Sequence, residues 1–129
     1  MTFETRRIAA APDATAPDGS EARVLCSLSR GGLAVFTLQP DSVSKAVAHR
    51  TVEEIWYVLS GRGRIWRKLG HQEEIDEIDA GVSLSIPTGT QFQFRCDSPD
   101  PLTVLGVTLP PWPGQDEAYL VEGVWEAAL

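Results

Sequence analysis

The chain has 129 residues, 43% of them hydrophobic, which suits one domain with a single hydrophobic core. Eighteen acidic and eleven basic side chains give a net charge of −7, which opposes attraction to nucleic-acid phosphates or to anionic lipid. We therefore expect neither nucleic acid nor a membrane as a partner. No run of about 18 apolar residues and no signal-peptide core occurs in the sequence, so we expect a cytoplasmic protein.

Residues 1–21 differ in composition from the rest of the chain. Most of this stretch mixes Ala, Pro, Asp, Thr and Gly without any period. Such a composition buries too little apolar surface to fold by itself. The sequence therefore predicts a flexible N-terminal leader over residues 1–21.

Residues 22–109 consist of short apolar segments separated by Gly, Pro, Asp or Ser. In chain order the segments are VLCSL, LAVFTL, EIWYVL, RIW, VSLSI, QFQF and LTVLGVTL. No segment with a helical period exceeds two turns, apart from residues 115–121. Many short strands at close spacing are typical of a β-sandwich or barrel, so we predict an all-β domain of short antiparallel strands.

The clearest alternation lies on both sides of the turn at residues 87–89. Apolar residues alternate with serine over residues 82–86, and Phe92 and Phe94 alternate with glutamine after the turn. Side chains two residues apart in a strand lie on the same face of the sheet. The pattern predicts a hairpin of two half-buried strands with both phenylalanines facing inward.

Two segments resemble the conserved motifs of the cupin family. In the first motif, an HxH pair is followed by a glutamate and then a glycine, and Glu54 and Gly61 have this spacing after His49. The second motif begins with a glycine and a PxG pair, which are matched by Gly81, Pro87 and Gly89. The resemblance covers residues 22–109 and implies the cupin double-stranded β-helix, a jelly-roll barrel of short antiparallel strands.

Glycines in these motifs fall where the chain must reverse direction. Gly61 and Gly63 lie at one predicted barrel corner, and Gly89 lies at a second. Glycine adopts positive φ without a steric penalty. We therefore expect positive φ at these corners.

In cupins, the two histidines and the glutamate of the first motif bind a metal together with a histidine of the second. Here Val47 and Phe92 stand at two of the three histidine positions, and Cys96 stands at the asparagine position of the second motif. Only His49 and Glu54 remain as residual metal candidates. One imidazole and one carboxylate are too few to hold a first-row metal firmly, so we expect a depleted site with, at most, a weakly bound divalent metal.

His49 and Glu54 admit three interpretations. His49 can line the barrel and bind Glu54, it can ligate a residual metal, or it can point outward. In the first case the two residues form a candidate acid–base pair. Burial would raise the pKa of Glu54 and a nearby imidazolium would lower it, so the sign of the shift stays open at this point.

Several further residues are candidates for binding a ligand. The aromatic side chains have the period expected for a common interior, which predicts an aromatic pocket, although ordinary core packing explains the same pattern. A cation on the predicted hairpin at residues 62–68 can clamp a carboxylate or phosphate, or it can simply be solvated. The candidates are Trp56, Trp66, Phe92, Phe94 and Arg64.

Residues 110–129 form a C-terminal segment rich in proline and tryptophan. Three prolines flank Trp112, which predicts an extended, stiff stretch with a large apolar anchor. We expect this segment to pack on the barrel, either over its mouth or against a partner subunit. The resemblance to cupins implies a homodimer.

Three functions remain open at the level of sequence. In the first, the barrel binds a small organic ligand in an aromatic pocket, oriented by His49 and Glu54. In the second, the chain is a cupin enzyme of the isomerase, epimerase or dioxygenase type that uses a residual metal or this pair. In the third, the barrel is filled and serves as a structural module. Fold alone does not choose between them.

Overall fold

The computed structural model describes residues 2–129, apart from the side chain of Gln115. Two antiparallel sheets face each other, and the described residues contain no α-helix. The predicted all-β jelly-roll architecture is therefore confirmed. None of the helical segments in this part of the chain is long or apolar enough to cross a lipid bilayer.

Eleven strands make up the two sheets, with a short 3-10 helix at Gln115–Glu117. The first sheet has the spatial order β1 (Ala14–Thr15), β2 (Glu21–Leu28), β3 (Gly31–Leu38), β10 (Leu102–Leu109), β5 (Glu53–Ser60), β8 (Ser83–Ile86). The second has the order β11 (Ala118–Leu120), β4 (Val47–His49), β9 (Gln91–Cys96), β6 (Arg62–Leu69), β7 (Gln72–Asp79).

The hydrophobic core lies between the two sheets. In β5, every second residue from Glu54 to Val58 is buried, and the residues between them are exposed. This alternation follows from the two-residue period of a strand. Phe92 and Phe94 face the same core from β9, as predicted.

The predicted hairpin around residues 87–89 is wrong. β8 pairs with β5 in the first sheet, whereas β9 pairs with β4 and β6 in the second. The turn therefore carries the chain from one sheet to the other. Alternation identifies which side chains face the core, but both sheets face the same core, so it does not identify the neighbouring strand.

Two of the three predicted corner glycines have positive φ. Gly61 and Gly89 each have φ of +83°. Gly63 does not adopt positive φ, so that part of the prediction needs correction. A Cβ atom at Gly63 would overlap the carbonyl oxygen of Arg95, so glycine is needed there because two strands approach closely.

Both ends of the chain pack on the barrel. β1 pairs with β2, and Asp18 and Ser20 are buried, although these residues fall within the stretch predicted as a leader. β11 pairs with β4 and covers its edge. The domain limits at residues 21 and 109 stay predictions, but residues 14–15 and 118–120 are strands of the two sheets.

Candidate functional site

A cavity of about 510 Å³ opens between the sheets at one end of the barrel. One wall is the inner face of β2, β3, β5 and β10, and the opposite wall comes from β4 and β9. Residues 14–18 and Pro111–Trp112 border the opening. This volume lies in the range of small-molecule sites, which span about 300–1,000 Å³.

Four aromatic side chains line the cavity. The Trp56 ring meets the Phe92 ring edge-on at 5.9 Å and lies 6.1 Å from the Phe36 ring. The fourth, Trp112, is 38% exposed and lies 5.1 Å from the His49 ring. The aromatic surface therefore runs from the barrel interior to its opening.

His49 and Glu54 meet inside this aromatic surface. His49 ends β4 and is 5% exposed, and Glu54 is the second residue of β5 and is 4% exposed. His49 Nδ1 lies 3.2 Å from Glu54 Oε2, but Nδ1 makes no hydrogen bond to any residue that the structure describes. The structure therefore excludes the outward interpretation and has His49 inside the cavity beside Glu54.

Burial makes this pair neutral near pH 7. Burial lowers the pKa of His49 to about 4, and the negative charge of Glu117 opposes the shift. Burial also raises the pKa of Glu54 to about 8; the Trp56 indole opposes this by hydrogen bonding, whereas the charge of Asp18 adds to it. The contact therefore joins an imidazole and a carboxylic acid and is not an ion pair.

Asp18 is a site residue that the sequence did not indicate. It lies in the turn between β1 and β2, lines the cavity and is buried. Its Oδ1 accepts hydrogen bonds from Ser20 N at 2.9 Å and Ser20 Oγ at 2.7 Å. Burial raises the pKa of Asp18, and these hydrogen bonds oppose the shift. The Asp-Gly-Ser sequence is a turn signal, but it gives no indication that the carboxyl group faces the barrel.

A contact that we call the latch, formed by Glu117 with Thr51 and Val52, fixes the chain just after Trp112. The Glu117 carboxylate accepts hydrogen bonds from Thr51 N at 2.7 Å, from Thr51 Oγ1, and from Val52 N at 3.0 Å. Burial opposes ionisation, but these hydrogen bonds outweigh it and lower the pKa of Glu117. The latch ties the segment after β10 to the loop between β4 and β5.

Trp66 does not line the cavity, so this prediction is wrong. It is paired with Gln93 in the β6–β9 ladder, between the two inward-facing phenylalanines, and therefore lies on the outer face. Its Nε1 donates a hydrogen bond to Glu73 at 2.7 Å. The side chain is nevertheless buried. On the same face, Gln93 binds the backbone of Val124 and Trp125.

Phe94 and Arg64 also lie away from the cavity. Phe94 faces inward, but it packs deeper in the core, with its ring 4.9 Å from that of Trp56. Arg64 is on the outer face of β6 and donates to Asp97 at 3.0 Å. Its charge is therefore already paired, and it is not available to clamp a ligand in the barrel. Of the five predicted ligand-binding residues, only Trp56 and Phe92 line the cavity.

The residues present do not fit a tightly bound metal ion. Val47 and Phe92 are partners in the β4–β9 ladder and both line the cavity beside His49. Among residues 2–129, no group of three or more His, Cys, Asp or Glu side chains is placed to hold a metal. The two histidine positions of the family motif thus present a methyl-bearing side chain and an aromatic ring, neither of which coordinates a metal.

The match to known families agrees with this architecture. The family described as Cupin domain matches residues 34–108, which is more than half of the chain. The chain belongs to the cupin family. No curated protein matches this cupin.

Solved structures show the same fold at low sequence identity. An uncharacterised conserved protein with a double-stranded β-helix domain from Klebsiella pneumoniae is 18% identical, with a TM-score of 0.66, over 81% of this cupin and 85% of that chain. Oxalate decarboxylase from Bacillus subtilis is 15% identical, with a TM-score of 0.69, over 79% of this cupin and 28% of that chain. CapF with the inhibitor 3-isopropenyl-tropolone is 20% identical, with a TM-score of 0.66, over 82% of this cupin and 32% of that chain.

Proposed function

We propose that this cupin binds a small organic ligand in the barrel cavity. The observation that carries the proposal is an aromatic cavity of about 510 Å³ in which His49 and Glu54 lie buried side by side, 3.2 Å apart. A few polar groups in a largely apolar wall are what fixes the orientation of a ligand in small-molecule sites. A ligand in the cavity contacts both groups.

The side chains that line the cavity offer a ligand both apolar contact and hydrogen bonds. The aromatic rings offer apolar contact area for the body of the ligand. A protonated Glu54 donates a hydrogen bond, and a neutral His49 has one donor and one acceptor nitrogen. The ligand is therefore oriented by two neutral groups set side by side in apolar surroundings.

A second candidate is an enzyme that uses His49 and Glu54 as base and acid. The favouring observation is their contact at 3.2 Å, with a carboxyl pKa of about 8 beside an imidazole pKa of about 4. At neutral pH the carboxyl group holds a proton that it can donate, and the imidazole is free to accept one. Proton transfer at a substrate carbon, as in an isomerase or epimerase, needs these two roles.

A thermal-shift screen of small metabolites tests ligand binding. Ala34 lies on β3 and lines the cavity, so Ala34→Phe adds a ring within it, whereas Ala80→Phe adds the same ring at an exposed turn. We expect stabilising compounds with the unmodified chain and with Ala80→Phe, and none with Ala34→Phe. A screen without stabilising compounds, or compounds that still stabilise Ala34→Phe, would refute the proposal.

The enzyme candidate has its own readout. Compounds found in the screen are incubated with the protein in deuterated water and examined by NMR for exchange at carbon. An acid–base enzyme exchanges a carbon-bound proton, and Glu54→Gln stops the exchange while Glu53→Gln, next to it and exposed, does not. Binding without exchange favours the ligand-binding function alone.

A further inference from the structure

The ionisable side chains that line the cavity are mainly acidic. Two carboxyl groups, those of Asp18 and Glu54, line the cavity. Among the described residues of the lining, none is a lysine or an arginine. The remaining polar side chains there are His49 and three hydroxyl residues, Thr15, Ser27 and Thr108.

The two carboxyl groups come from separate parts of the fold. Glu54 projects from β5, where its ladder partner is Thr108 on β10. Asp18 lies in the turn between β1 and β2 and lines the cavity as a buried residue. Ser20 directs both of its hydrogen bonds to Oδ1 of Asp18. A ligand in the cavity therefore meets carboxyl groups from two separate elements of the fold.

This arrangement discriminates between ligands by charge. An anion would keep both carboxyl groups from ionising and would find no cationic side chain in the described lining to pair with. A cation favours the ionised form of each carboxyl group and is also attracted to the faces of aromatic rings. The net charge of −7 further raises the concentration of cations near the protein.

We propose that the ligand is a small organic ammonium ion, whose charged nitrogen lies between Asp18 and Glu54 and whose body contacts Trp56, Phe92 and Trp112. The inference rests on the proposed function of this cavity and adds the charge of the ligand to it.

Calorimetric titration with three compounds of matched shape tests the charge directly. The probes are 2-phenylethylammonium, 2-phenylethanol and phenylacetate, which carry positive, zero and negative charge on the same phenyl body. We expect the ammonium ion to bind at least about tenfold more tightly than the alcohol, and phenylacetate to bind most weakly. An alcohol or phenylacetate that binds as tightly as the ammonium ion overturns the inference.

Two substitutions locate the charge preference. Asp18→Asn and Glu54→Gln each reduce the ratio of ammonium to alcohol affinity, because the amide that replaces the carboxyl group cannot ionise. Asp100→Asn and Glu53→Gln, at exposed positions, leave the ratio unchanged. A ratio that survives both cavity substitutions overturns the inference, and the comparison of the three probes with the unmodified chain decides the matter even if a variant does not fold.

The failure of this inference differs from the failure of the proposed function. If none of the three probes binds, but uncharged metabolites still stabilise the protein and lose this effect with Ala34→Phe, the cavity binds ligands and the ammonium preference is refuted. If no compound of any charge binds in the cavity, the proposed function fails and the inference fails with it.

Discussion

The contact between His49 and Glu54 joins two groups whose pKa values burial shifts in opposite directions. Between pH 4.5 and about 8, the folded chain keeps a proton on Glu54 that the unfolded chain loses, so this group makes folding less favourable as the pH rises. Between about pH 4 and 6.5, the unfolded chain protonates His49 and the folded chain does not, so His49 acts in the opposite sense. The two effects largely cancel from pH 4.5 to 6.5.

Above pH 6.5 only the Glu54 effect of this pair remains, which gives a testable prediction. We expect the free energy of unfolding to fall by about 1–2 kcal/mol from pH 6.5 to 8, measured by urea denaturation. Asp18, with its raised pKa, acts in the same direction, and Glu117, with its lowered pKa, acts only below pH 4.5. Glu54→Gln reduces the fall and Glu53→Gln does not. An equal fall in Glu54→Gln would show that Glu54 is already ionised in the folded chain.

Val47 and Phe92 provide a prediction about metal binding. Histidines at both positions would join His49 and Glu54 at the inner end of β4 and β9, because all four residues line the same cavity. We expect Val47→His combined with Phe92→His to raise the affinity for Zn²⁺ or Co²⁺ at least about 100-fold, since four ligands replace two. Titration with Co²⁺, followed by its visible absorption, measures the change.

A matched variant controls for nonspecific binding by added histidines. Glu53→His combined with Tyr57→His places two imidazoles on the exposed face of β5, where no further ligands converge. We expect no comparable gain there. If the cavity variant also shows no gain, then the four side chains do not converge on one point.

At the scale of elements, the latch connects the C-terminal segment to the loop between β4 and β5. Glu117→Ala removes three hydrogen bonds to a carboxylate and leaves the two backbone donors of Thr51 and Val52 without this partner. We expect a loss of about 2–3 kcal/mol in the free energy of unfolding. Hydrogen exchange should become faster around residues 111–121 and should stay unchanged in β6. Glu122→Ala, exposed in the same segment, is the control, and an equal loss there would contradict the role of the latch.

Alternation and motif spacing predicted much of the strand content, but they did not predict which strands pair. Phe92 and Phe94 face the core as expected, because the two-residue period depends only on local geometry. Trp66 does not share the interior with Trp56, although the period of the aromatic residues predicts it. In the structure it is buried on the outer face of β6, opposite Gln93, to which the C-terminal segment binds. The binding of Gln93 by a distant segment leaves no local signal in the sequence of β6 or β9.

In the candidate site, too, motifs identify some residues, whereas contacts between distant parts of the chain bring others to the cavity. His49 and Glu54 were found because the family motif fixes their spacing. Trp112 was expected to anchor the C-terminal segment on the barrel, but the sequence left open whether it does so at the mouth. Asp18 lies outside both motifs and reaches the cavity only because β1 pairs with β2, so it was not predictable.

For the whole molecule, we propose a homodimer formed through the outer face of the first sheet. Ile55, Tyr57 and Leu59 are 45–49% exposed in a row on β5. Leu105 and Val107 flank them on β10 with the same outward orientation. The face carries apolar side chains that a second copy can cover by the same face, as a two-fold axis requires.

Sedimentation velocity tests this proposal. We expect a dimer for the unmodified chain, and at least about tenfold weaker association for Tyr57→Glu, because a buried unpaired carboxylate is costly at an interface. Ile75→Glu introduces the same charge at an equally exposed position on β7, in the other sheet, and should leave the dimer intact. A monomeric unmodified chain, or equal weakening by both substitutions, would refute the proposal.

The placement of the four tryptophans has a practical consequence for spectroscopy. Trp56 and Trp112 border the cavity, whereas Trp66 lies on the outer face and Trp125 packs near Arg64 and Arg95. A molecule that enters the barrel displaces water from one indole and touches another, while the two remote indoles keep their surroundings. The wavelength and intensity of tryptophan fluorescence therefore report whether the cavity is occupied, and no dye has to be attached to the chain.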